Sequence, residues 1–101
     1  MSKKSLIRRN EKRKKMISNS IIKRSSLKQV ANNTLLKFEE RLSAQIELSK
    51  MSKNSSPVRF RNRCAITGRP RGNLSKFGLS RNVVRELASW GHIPGLVKSS
   101  W

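Results

Sequence analysis

The sequence predicts a mostly α-helical chain, with extended N-terminal helices, a small C-terminal module and little β structure, at most a short hairpin. Three observations predict it. The first thirty residues contain neither Gly nor Pro, so nothing in them breaks a helix. Leu35, Phe38, Leu42 and Ile46 recur at intervals of three or four residues, which places them on one helical face. The stretch "SRNVVRELASWG" at 80–91 opens on a Ser fit to cap a helix and closes on a Gly fit to end one.

Taken in order, the first helix carries a strongly basic sequence, and its apolar Leu6, Ile7, Ile17, Ile21, Ile22 and Leu27 form only a thin stripe. "NNT" at 32–34 is a polar break that can cap the second helix, whose apolar face is expected to pack on the first. "SKNSSPV" at 52–58 collects Ser, Asn and Pro and reads as a linker. The chain is thus expected to divide into a basic helical arm with the second helix (1–51) and a C-terminal module (52–101). Arg59, Arg61 and Arg63 alternate with Phe60, Asn62 and Cys64, so an extended backbone there aligns three guanidiniums on one side. "TGRPRGN" at 67–73 sets glycines between cations, a pattern for a tight turn whose backbone can approach a phosphate. In the third helix Val83, Val84 and Leu87 share one face, and Arg81 and Arg85 lie one turn apart.

Charge dominates the composition. Among 101 residues, 24 Lys and Arg face 5 acidic residues, a formal net charge of +19. Such a charge strains a small compact state unless a polyanion neutralises it. The cations concentrate at the two ends: residues 1–30 hold eleven and residues 51–101 hold ten, while 31–50 hold three cations and three Glu. Five aromatics (Phe38, Phe60, Phe77, Trp90 and Trp101) leave few large anchors for a core. The first thirty residues have the basic, Ser-rich character of a mitochondrial transit peptide, and are read as a retained working arm. No apolar run approaches the ~20 residues of a membrane span, so no membrane partner is expected.

Catalysis finds little support. The chain has no Asp and a single His92, so a Ser-His-Asp triad cannot be assembled. Cys64, the only cysteine, lacks a clear base and orienting group and is read as a small packing residue. It cannot form an internal disulfide, which favours a reducing compartment. The spacing Gly-x4-Gly-Lys-Ser/Thr of a nucleotide-binding loop is absent. No cofactor is expected, and zinc, which needs about four ligands, has no Cys and His set to use.

The stretch "RNRCAITGRPRGNLSKFGLSRNVVRELASWGHIPGLVKSSW", with "NSSPVRFRNRC" and the basic start "MSKKS", resembles the small-subunit ribosomal protein fourteen family in its bacterial and organellar form. The family's other form holds zinc through Cys-x2-Cys-x12-Cys-x2-Cys. Laid on this chain, that frame falls on Cys64, Thr67, Ser80 and Val83, so the resemblance implies a zinc-ribbon-like module without zinc. It further implies a structural, non-catalytic constituent of the small ribosomal subunit that binds its rRNA in the head, beside neighbouring head proteins. It would support assembly and the conformation needed for translation, with no homo-oligomer. Matching positions place RNA contacts at Arg59, Arg61, Arg63, Arg69, Arg71, Lys76, Arg81, Arg85 and Lys98. Trp101 ends the family's usual "KSSW" and is placed to stack on a base or dock on protein. Trp90 departs from the small or charged residues common there and is read as facing a partner. The alternative is a free nucleic-acid-binding regulator that reads its target with the helix at 80–90. The Ile-, Lys-, Asn- and Ser-rich usage fits an AT-rich genome. An organelle-encoded product of the mitochondrial matrix is expected first, with bacterial cytoplasm or a plastid as alternatives.

Overall fold

A computed structural model of the chain describes residues 2–100. It is mostly helical: α1 spans Lys4–Asn32, α2 Phe38–Lys50 and α3 Arg81–Ser89. The strand content among these residues is one antiparallel pair, β1 (Asn73–Leu74) with β2 (Leu79–Ser80), in the register Asn73 to Ser80 and Leu74 to Leu79. None of the helices is long and apolar enough to cross a membrane. Two compact units emerge, one formed by residues 9–60 and the other by residues 2–8 together with 61–100.

In the 9–60 unit, the sheltered positions of α1 include Asn10, Arg13, Ile17, Ser20, Arg24, Leu27 and Ala31, alternately three and four residues apart. This is the seam of a helix laid against a neighbour, but it is polar and small as often as apolar. Ile21 and Ile22, expected on the apolar stripe, are exposed. Arg24 works within the seam, where its NH2 donates to the Ser55 hydroxyl at 2.8 Å and to the Ser52 carbonyl at 3.3 Å. The segment expected as a linker is accordingly structured. It forms 3-10 turns at Lys53–Ser55 and Pro57–Arg59, with Ser55 buried.

The second helix begins later than its polar break suggested. Asn33 uses its side chain in the turn, accepting the Leu35 N–H at 3.0 Å, and Lys37 enters α2 in extended conformation with no side-chain cap. Its apolar face does not pack on α1. Phe38 is 73 % exposed, Leu42 47 % and Ile46 46 %, while Ala44 is buried and Arg41 and Leu48 are partly covered. The reason lies in a contact between the two helices. The carbonyl of Ala31 lies in the last turn of α1, where no intrahelical donor remains, and Arg41 Nε supplies one at 3.1 Å. That bond rotates α2 so that Arg41, Ala44 and Leu48 turn inward and the apolar stripe turns out.

The other unit is built on α3. Ser80, 1 % exposed, accepts the Val83 N–H on its hydroxyl at 3.5 Å, as an N-cap should. Val83 and Val84 are buried beside Cys64 in a small core. The helix stops where expected: Gly91 takes φ +73°, and the N–H groups of Gly91 and His92 return to the carbonyls of Ala88 and Leu87.

Candidate nucleic-acid interface

The expected tight turn forms at 64–72 and is held from within. Cys64 N–H donates to the Arg69 carbonyl at 3.1 Å, and Gly68 N–H donates to the Cys64 carbonyl at 2.9 Å. Asn73 clamps the turn with its side-chain amide, which reaches the carbonyls of Asn62 at 2.9 Å and Arg69 at 2.8 Å. Two of the predicted cations brace it as well: Arg61 Nε donates to the Pro70 carbonyl at 2.8 Å, and Arg63 NH1 to the Gly68 carbonyl at 2.9 Å. Carbonyls that would repel a phosphate are thereby consumed inside the protein.

The turn is joined to α3 at its first residue. Arg81 N–H donates to the Gly72 carbonyl at 2.8 Å. A Cβ placed on Gly72 would lie 3.7 Å from Arg81 Cδ and Nε, so the arginine side chain lies across this glycine. Arg61, Arg63, Arg69, Arg71 and Arg81 thus cluster around one turn. Arg85 stands exposed one helical turn beyond Arg81. Lys76 is exposed in the β1–β2 connection, with its ammonium 5.9 Å from the Phe77 ring centre. Lys98 bonds the Ser89 hydroxyl at the far end of α3.

Arg59 does not continue an extended row with Arg61 and Arg63. It closes the 3-10 turn at Pro57–Arg59, donates to Asn54 Oδ1 at 3.1 Å, and belongs to the 9–60 unit. Trp101 lies outside the described residues. Trp90 is 68 % exposed and meets His92 edge to face at 6.0 Å. Sequence reasoning missed Asn73, although its place after Gly72 in a turn-forming run hinted at a bracing amide. It also missed Ser2 and Ile7. Ser2 donates its hydroxyl to the Gly68 carbonyl at 2.9 Å, and Ile7 lies against Gly68.

The zinc-form frame has a different use here. Val83 is buried in the core, the Ser80 hydroxyl is engaged as a helix cap, and Cys64 alone among the four positions offers a thiolate. This donor set does not fit a zinc ion, and no cluster of three or more His, Cys, Asp or Glu occurs among the described residues. What the frame retains is a cradle of donors. Burial acts to raise the Cys64 thiol, but the Thr67 side chain and the N–H groups of Thr67, Ser80 and Ile66 outweigh it and bring the pKa to about 6. Stability linked to this group should be complete above the ordinary thiol value and fall as pH drops toward 6, because only the folded chain favours the thiolate there. Methyl methanethiosulfonate labelling of Cys64 should show a midpoint near pH 6, with a slow rate set by burial. A midpoint near 8.5 would contradict the cradle.

Residues 47–100 match the family model described as ribosomal protein S14p/S29e. The chain is 52 % identical over 101 residues, and over the full length of both proteins, to small ribosomal subunit protein uS14 of Alkalilimnicola ehrlichii. It is 50 % identical, again over the full length of both, to the protein of the same name from Cereibacter sphaeroides strain ATCC 17029.

Proposed function

Because this chain belongs to the ribosomal protein S14p/S29e family, we propose that it binds small-subunit rRNA in the head and holds converging RNA segments together, supporting assembly and translation. The family is one of structural ribosomal proteins, not of enzymes. One observation carries the reading to RNA: the guanidinium cluster at 61–81 surrounds a turn whose carbonyls at Cys64, Gly68, Arg69 and Pro70 accept hydrogen bonds from within the protein. A phosphate approaching that turn meets planar cations that can grip it through paired N–H groups. Arg85, Lys76 and Lys98 extend the contact within the same unit, Arg59 is a separate RNA contact from the 9–60 unit, and neighbouring head proteins complete the setting. The regulator alternative is disfavoured by the family to which the chain belongs. The relatives are bacterial, which favours a bacterial cytoplasm over the mitochondrial matrix expected from codon-linked composition.

Affinity for a fragment of head rRNA tests this directly. With about eight phosphates engaged, log K should fall against log salt with a slope of roughly −6 to −7. A slope near zero would sink the electrostatic reading.

A further inference from the structure

Glu86 is out of keeping with the unit that holds it. It is the only acidic residue between 51 and 101, against ten Lys and Arg. Among the described residues its carboxylate meets no hydrogen-bond or ion-pair partner. A surface that only gathers phosphates would do better without it. Asn82 and Glu86 lie four residues apart on α3, so their side chains leave the helix side by side. Both line a groove of about 510 Å³, together with Val83 from the same helix and Arg69 and Pro70 from the turn. That volume is in the range of sites that hold small molecules, and the groove lies wholly within the unit of residues 2–8 and 61–100. Val83 and Pro70 offer apolar surface, Arg69 offers donors, Glu86 offers acceptors, and the Asn82 amide offers both.

We propose that this groove takes one unstacked guanine of the bound RNA, its N1–H and 2-amino group donating to Glu86 and its O6 and N7 accepting from Arg69. The proposal rests on the RNA reading of this unit. The occupant follows from the opposite charges in one groove. A phosphate satisfies Arg69 and is repelled by Glu86. A Lys or Arg from another protein satisfies Glu86 and is repelled by Arg69 and the cations around it. A neutral, flat group with donors on one edge and acceptors on another suits both, and can lie on Val83 and Pro70. Guanine alone among the four bases has two adjacent donors to match the two oxygens of a carboxylate, and its O6 and N7 match the fork of an arginine. Adenine and cytosine set an acceptor beside their amino group, and uracil sets a carbonyl on each side of its N–H, which a carboxylate repels. Bases splayed out of single-stranded RNA are read in this way, through their edges. The remaining N–H groups of Arg69 still serve a backbone phosphate.

Fluorescence anisotropy of the full-length chain with labelled oligouridylate strands, each carrying G, A, C or U at its centre, tests this. The strand with central G should bind roughly tenfold more tightly than the all-uracil strand. Inosine at the same place lacks the 2-amino group and should lose most of that preference on the unaltered protein, where no question of folding arises. Glu86→Gln keeps the size of the side chain and turns one acceptor into a donor, and should bring all four strands to within about twofold of one another. Lys76→Gln should weaken all four alike and keep the preference. Equal affinity for the four bases, as a groove for another protein's cation would give, or a guanine preference that survives either inosine or Glu86→Gln, would overturn the proposal. The salt dependence of the all-uracil strand judges the RNA reading separately. A steep slope without base preference upholds that reading and overturns the guanine site. A guanine preference lost with inosine, on strands indifferent to salt, upholds the site and counts against phosphate neutralisation. Failure to bind any strand overturns both.

Discussion

Gly68→Ala is expected to loosen the C-terminal unit by about 2–5 kcal/mol, from two sources that can be measured apart. Gly68 sits at φ +75°, where a side chain costs about 1–2 kcal/mol. An added Cβ would also fall 2.7 Å from Ile7 Cδ1 and 3.3 Å from Ser2 Cβ, so the N-terminal segment must move, at an overpacking cost of about 1–3 kcal/mol. Gly78→Ala isolates the first source, because Gly78 has φ +66° and nothing within 4 Å of its added Cβ. Hydrogen exchange at the Cys64 and Gly68 amides of the RNA-bound chain should accelerate more in Gly68→Ala than in Gly78→Ala. Ile7→Ala should remove most of the difference. Equal acceleration in the two glycine variants would show that the first residues do not press on the turn.

The second large effect is expected at Arg69. Its carbonyl receives both Cys64 N–H and the Asn73 amide, so its backbone is fixed and its guanidinium is presented from a rigid turn, partly covered. Arg69→Glu replaces the proposed phosphate contact by a repulsion within the arginine cluster, and should reduce small-subunit assembly roughly tenfold or more. Lys12→Glu changes the same charge on an exposed position of α1 among many other cations, and should alter assembly by about twofold or less. Sucrose-gradient profiles of cells relying on each variant make the comparison. Indistinguishable profiles would mean that total charge, not the fixed turn, governs assembly.

The parts of this molecule that could be foreseen are those whose physics is local. Ser80 and Gly91 bound α3 because a cap and a left-handed stop act within a few residues. The glycines and proline of 67–73 announced chain reversal there, but not the hydrogen-bonded turn from Cys64 to Gly68 that precedes it. The orientation of α2 could not be foreseen, because periodicity identifies an apolar face without saying what it meets. The deciding bond, from Arg41 to the Ala31 carbonyl, is a tertiary accident of chain geometry. Arg59 was misjudged for a related reason: alternation suggested an extended run, but Pro57 begins a 3-10 turn that removes Arg59 from it. Within the candidate interface, the residue types were legible and their gathering was not. Nothing in the order of the residues announces that Arg81 lies across Gly72 or that Ser2 reaches Gly68.

The contact between Ser2 and Gly68 spans 66 positions of sequence, and it sets a timetable for biosynthesis. A chain made from its N-terminus makes residues 2–8 first, yet their docking site is encoded some sixty positions later. At about 5–20 residues per second, the leading segment waits roughly 3–13 s before the turn it packs against has been translated, and longer until that turn emerges. During that interval α1 can form, because its contacts are short in range, while its first turn has no seat. The leading segment of the newborn protein thus has no seat until the turn at 64–72 has been made, and its docking reports that synthesis has passed that turn.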